Sequence, residues 1–82
     1  MSKELSRAQI KYLVAMYKMD PEGKGLRSVS ICRELDVSRP SAHAMIEKLD
    51  EKGYVKKELY GIVYLTKKGM EAGKYYKEKK SD

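Results

Sequence analysis

The segment Leu35-Asp36-Val37-Ser38-Arg39-Pro40-Ser41-Ala42-His43-Ala44-Met45-Ile46-Glu47-Lys48-Leu49, followed by Lys52-Gly53-Tyr54-Val55, constrains the fold more than any other part of the chain. Ser38 supplies the side-chain oxygen that an N-cap requires, and Pro40 falls in the first helical turn, where its missing N–H would have had no partner. The pattern predicts a helix from Arg39 to about Lys52. Ala42, Met45, Ile46 and Leu49 share one of its faces, while Pro40, Ser41, Ala44, Glu47 and Lys48 lie on the other. Gly53 is placed as the left-handed residue that stops the helix. A short helix, a tight turn and a second helix with one free face, followed by a strand, is the spacing of a helix-turn-helix.

The flanking sequence supplies the remaining elements. Ile10, Leu13, Val14 and Tyr17 follow the i, i+3, i+4, i+7 pattern of an amphipathic helix, and Ser6 with Gln9 matches a capping box, so a first helix is expected from about Arg7 to Met19. Asp20-Pro21-Glu22-Gly23-Lys24-Gly25 is dense in turn formers and reads as a loop. Leu26-Arg27 adds a short strand, after which Ser28 is expected to cap a brief second helix through Ile31 and Leu35 that ends near Asp36. Residues 54–58 and 62–65, rich in β-branched and aromatic side chains, form two antiparallel strands joined around Leu59-Tyr60-Gly61. This hairpin, 54–65, is the wing. Thr66 then caps a last helix through Met70, Ala72, Gly73, Tyr75 and Tyr76, with Lys77–Asp82 expected to fray. The expected fold is α+β, a winged helix-turn-helix with a three-helix core, a wing of two or three strands and a C-terminal helix, as a single domain over residues 1–82.

A formal charge of +6 on 82 residues gives a field that attracts polyanions, so nucleic acid or an anionic membrane surface is the natural class of partner. No apolar run approaches the length of a membrane span, and Met1-Ser2-Lys3-Glu4-Leu5 lacks the apolar centre of a secretory signal. The single cysteine, Cys32, has no internal partner and no metal-binding spacing, and is expected to be an inert core residue. A cytoplasmic location follows as the expectation. The sequence holds no phosphate loop and no nucleophile beside a histidine, and one histidine with one cysteine cannot form a metal cluster, so an enzyme is not expected.

Tyr12-Leu13-Val14-Ala15-Met16-Tyr17, Ile31 to Leu49, Gly53-Tyr54-Val55, and Tyr60 through Gly69 together resemble the N-terminal winged-helix domain of the iron- and manganese-dependent repressors, the diphtheria toxin repressor family. The resemblance covers most of the chain. It implies DNA contacts in the turn and first turn of the recognition helix, which here fall on Ser38, Arg39, Pro40, Ser41 and Ala44. Two departures stand out. The family continues into a helical region for dimerisation and metal binding, before which this chain stops. Two acidic ligands of the manganese-responsive first helix correspond here to Lys11 and Val14, and a later histidine ligand falls near Lys80. Protonated lysine does not ligate a dication, so neither metal sensing nor any cofactor is expected.

The expected function is that of a transcriptional regulator binding double-stranded DNA sequence-specifically, with helix 39–52 in the major groove and the wing on the backbone. Lys48, Lys56, Lys57 and the basic last helix would neutralise phosphates. Arg39 would pair with guanine O6 and N7, and Pro40 or Ala44 would touch thymine methyls. His43 is read as facing phosphate or sitting at a helix flank, and Tyr60 in the wing turn completes the set. The alternative is a winged-helix module for protein interaction without DNA binding, for which Glu47, Glu51 and Glu58 speak because acids near the reading face repel phosphate. A homodimer would form through the first or the C-terminal helix, on a small apolar seam of Met70, Ala72, Gly73 and Tyr76.

Overall fold

The computed structural model describes residues 5–79, arranged as α1 (Arg7–Met19), β1 (Leu26–Arg27), α2 (Ser28–Leu35), α3 (Arg39–Glu51), β2 (Val55–Glu58), one 3₁₀ turn (Leu59–Gly61), β3 (Ile62–Leu65) and α4 (Lys67–Lys79). The strands form a single antiparallel sheet in the order β1-β3-β2. Leu26 pairs with Val63, and Val55 with Leu65, so the wing has three strands rather than two.

The closed capping box at the start of α1 is present: Gln9 N–H donates to Ser6 Oγ at 3.1 Å, and Ser6 N–H donates to Gln9 Oε1 at 2.9 Å. The same Oε1 accepts from Lys52 Nζ at 3.2 Å, which ties the start of α1 to the end of α3. The buried face of α1 differs from the expected one. Gln9, Tyr12, Leu13 and Met16 point inward, while Ile10 and Val14 are half-exposed. The helix carries two overlapping apolar stripes, and Gln9 enters the inner one with its side-chain oxygen satisfied twice, by Ser6 N–H and by Lys52 Nζ. Burial pushes the Tyr12 phenol above its ordinary pKa.

Asp20 closes α1 and is itself buried. Its carboxylate accepts the backbone N–H groups of Lys24 at 2.9 Å and Gly25 at 2.8 Å, which satisfies the charge and fixes the reversal of the loop. α2 begins one residue earlier than a Ser28 cap would place it: Arg27 holds the N-cap position without a side-chain bond, and Ser28 is already helical. Asp36 stops α2 in the left-handed region, at φ 57°, a conformation that aspartate tolerates better than most residues. Val37 N–H then returns to the Cys32 carbonyl at 3.1 Å and tightens the turn into α3.

α3 packs Ala42, Ile46 and Leu49 into a core shared with Leu13, Met16, Ile31, Val55, Val63 and Leu65, and the free Cys32 is buried at its margin. Gly53, at φ 86°, turns the chain out of α3. Thr66 caps α4 by accepting Gly69 N–H at 3.1 Å, and its hydroxyl donates to the Gly53 carbonyl at 2.7 Å, so one side chain joins the base of the wing to both helices. α4 continues as helix through Lys79, past the expected start of fraying at Lys77. It lies along α1, with Gly73 against Tyr17 and Leu13.

Candidate nucleic-acid interface

The opening turn of α3 faces solvent. Ser38 caps it by accepting Ser41 N–H at 3.2 Å, and Ser38 Oγ donates to Ser41 Oγ at 3.0 Å, so both hydroxyls are engaged in starting the helix. Arg39, Pro40, Ser41, His43, Ala44 and Lys48 are all exposed. The proline and the cap fix where α3 begins, and the burial of Ala42, Ile46 and Leu49 fixes which way it rolls. Together they hold Arg39, Pro40 and Ala44 outward on a rigid element.

A groove of about 520 Å³ separates this turn from the wing, with Arg39, Pro40 and His43 on one wall and Lys57, Glu58 and Gly61 on the other. Across it, Lys57 Nζ reaches Glu47 Oε2 at 2.6 Å, and His43 Nε2 lies 3.4 Å from the same oxygen. The hydrogen bond from Lys57, followed by its charge, holds the Glu47 carboxyl below the usual glutamate range, and the same bond raises the Lys57 ammonium above its ordinary value. Glu47 is thus a strut between recognition helix and wing, and much of its charge is met within the protein.

Lys56 and Lys57, expected as a matched pair of phosphate contacts, point in opposite directions because strand side chains alternate. Lys57 shares the inward face with buried Val55 and spends its charge on Glu47. Lys56 faces away and stands 3.7 Å from Glu58. The wing tip is apolar and prominent: Leu59 is 75% and Tyr60 92% exposed, and Tyr60 is left-handed at φ 64°. Leu59 had no place among the expected contacts, since a leucine in a β-turn gives no signal of its exposure.

Other expected groupings come out differently. The seam of Met70, Ala72, Gly73 and Tyr76 is not a free face: Gly73 is buried against α1, and Met70 and Ala72 pack on the core. Lys11 and Val14 line a second groove together with Arg7 and Lys18. That donor set does not fit a divalent iron or manganese ion, because protonated amines and a guanidinium repel a dication and supply no lone pair. Lys80 lies outside the described residues. Among the described residues, no helix is long and apolar enough to cross a membrane.

Three helices, a three-stranded wing packed on the third and a helix closing the domain define the winged helix-turn-helix class. The chain belongs to the family described as the iron dependent repressor, N-terminal DNA binding domain, whose pattern matches residues 4–63. No curated protein matches it significantly. Among solved structures it is similar to the hypothetical protein SSo2273 from Sulfolobus solfataricus, 31% identical with a TM-score of 0.73 over 87% of this chain and 54% of the other. It is also similar to the transcriptional repressor CouR bound to p-coumaroyl-CoA, 26% identical with a TM-score of 0.73 over 92% of this chain and 52% of that one. MepR, a transcription regulator of the Staphylococcus aureus multidrug efflux pump MepA, shares the fold at 16% identity, with a TM-score of 0.73 over 92% of this chain and 57% of its own. The chain spans about half the length of these structures.

Proposed function

We propose that this chain is the DNA-reading part of a transcriptional regulator, with the start of α3 in the major groove of double-stranded DNA and the wing against the adjacent backbone. The observation that carries this reading is the solvent-facing first turn of α3, capped by Ser38 and held rigid by three buried side chains behind it. Family membership supports the same reading. Arg39 is the direct base reader, as its planar fork matches guanine O6 and N7. Pro40 and Ala44 supply apolar contact to thymine methyls, and Ser41 and His43 approach the backbone. Lys48 and Lys56 neutralise phosphate, whereas Lys57 acts chiefly through Glu47. Tyr60, with Leu59, brings an apolar tip to the neighbouring sugar-phosphate edge.

Of the three acids that favour the interaction-module alternative, Glu47 is paired with Lys57 and Glu58 stands beside Lys56, which leaves Glu51 as its support. A fluorescence-anisotropy titration with random duplex across a salt series tests the proposal. Binding should weaken with salt, with a log–log slope of roughly −0.9 for each phosphate neutralised. Absence of binding at low salt would return the assignment to a protein-interaction module.

A further inference from the structure

On the side of α1 away from the core lies a groove of about 700 Å³ that shares no residue with the one beside the wing. Its floor is apolar: Ile10, Val14 and Ala15 of α1, Leu35 at the end of α2 and Tyr76 of α4. Ile10, Val14 and Ala15 are half-buried yet stand outside the set packed against the core, among the described residues. These residues form the outer of the two apolar stripes on α1. The rim is cationic, with Arg7, Lys11 and Lys18 against the single acid Glu34. Among the described residues none of these four makes an ion pair, whereas Lys24, Lys56 and Lys57 are all paired elsewhere.

We propose that this groove docks an acidic amphipathic helix of a partner protein. The cations sit at i, i+4 and i+11 on α1, so at 1.5 Å per residue they span about 16 Å, roughly three turns of an apposed helix. A helix laid there would put an apolar stripe on Ile10, Val14 and Leu35 and its flanking carboxylates on Arg7, Lys11 and Lys18. A second copy of this chain fits poorly, because symmetric contact sets one cationic rim against another. A small amphipathic acid reaches only part of a groove so long and half open to solvent. Duplex DNA gains nothing from the apolar floor. Because the groove and the recognition turn are separate surfaces, a partner can be carried while DNA is held.

The test is an amide-resolved NMR titration of the chain with a blocked synthetic helix of about 15 residues, bearing leucines at i, i+4, i+7 and i+11 flanked by glutamates. Saturable shifts confined to residues 7–18, 34, 35 and 76 are expected. Exchanging the peptide's glutamates for lysines should abolish them, as should exchanging its leucines for serines. A Lys11→Glu/Lys18→Glu variant, altered only at exposed positions and checked for an unchanged fold by its own spectrum, should weaken binding at least about tenfold. It should leave the preference among duplex sequences unchanged even where the lower net charge weakens binding to all of them, so failure here is separable from failure of the DNA reading. Shifts on α3 or the wing, equal binding by the serine peptide, or no saturable shift would each overturn the proposal. So would the same shifts appearing without peptide as the protein is concentrated, which assigns the groove to a second copy, or saturation by benzoate alone.

Discussion

Replacing Gly73 by alanine turns a helix-propensity rule upside down. At an exposed helical position the change gains about 1 kcal/mol, because glycine loses more backbone entropy on folding. At Gly73 the added Cβ would lie 2.7 Å from Tyr17 Cβ and 2.9 Å from the Leu13 carbonyl oxygen. Unstrained contacts between carbons sit near ~3.5–4.0 Å, so α4 must retreat from α1 by about 1 Å. Neither neighbour can rotate away, since one is a backbone oxygen and the other is fixed to the main chain of α1. Overpacking against immovable atoms costs about 3 kcal/mol, and the propensity gain of about 1 leaves a net loss of about 2 kcal/mol. For a domain of this size that lowers Tm by about 10 °C. Thermal and urea unfolding followed by circular dichroism read both values. Gly53→Ala is the comparison: no atom lies within 4 Å of its added Cβ, and its cost comes from φ +86° alone. Asparagine should recover much of the loss at Gly53 and none at Gly73. A Tm that rises in Gly73→Ala would refute the close α1–α4 contact.

The Glu47 carboxyl is lowered by Lys57, so the bridge is intact above the ordinary carboxylate range and is lost as pH falls through the lowered value; Lys57, being raised, keeps its proton well past neutrality. Carbon-detected titration of Glu47 should therefore give a midpoint below that of an ordinary glutamate, returning upward in Lys57→Ala; an unchanged midpoint would sink the bridge. Asp20→Ala strands the Lys24 and Gly25 amide donors and should cost about 2–3 kcal/mol, with faster hydrogen exchange at those two amides, whereas a loss under about 0.5 kcal/mol would mean the carboxylate does not organise the loop. Tyr60→Asn relieves a left-handed tyrosine and should stabilise the domain by up to about 1 kcal/mol while reducing DNA affinity; a destabilised variant contradicts the strain, and unchanged affinity contradicts the tip contact.

Local chemistry made much of this fold readable. The ends of α1 and α3 follow from Ser6 with Gln9, from Ser38 with Pro40, and from Gly53, because caps act within a few residues of the groups they satisfy. What escaped depends on neighbours distant in sequence. Two apolar stripes on α1 are equally plausible as inner faces until α2, α3 and α4 choose between them, and the choice of Tyr12 and Met16 over Ile10 and Val14 is made by packing. Glu47 looked like a repulsive acid because its partner lies ten residues on, across the turn at Gly53, and only the alternation of β2 aims Lys57 and not Lys56 at it. The His43–Glu47 contact went unread as well, although the two stand i, i+4 on α3: His43 was assigned only to phosphate or to a helix flank. Gly73 read as a seam for a second molecule when it is spent on α1, since a glycine shows nothing of what approaches it.

Base reading by the first turn of α3 is the central proposal. Selection of bound sequences from a random duplex pool, run in parallel with the native chain and with Arg39→Ala, tests it most directly. The native chain should enrich a defined site containing a guanine whose preference disappears in the variant, at a cost of about 1–3 kcal/mol and with the salt slope little changed. Enrichment of one and the same site by both proteins, or uniform weakening on every sequence, would contradict the assignment.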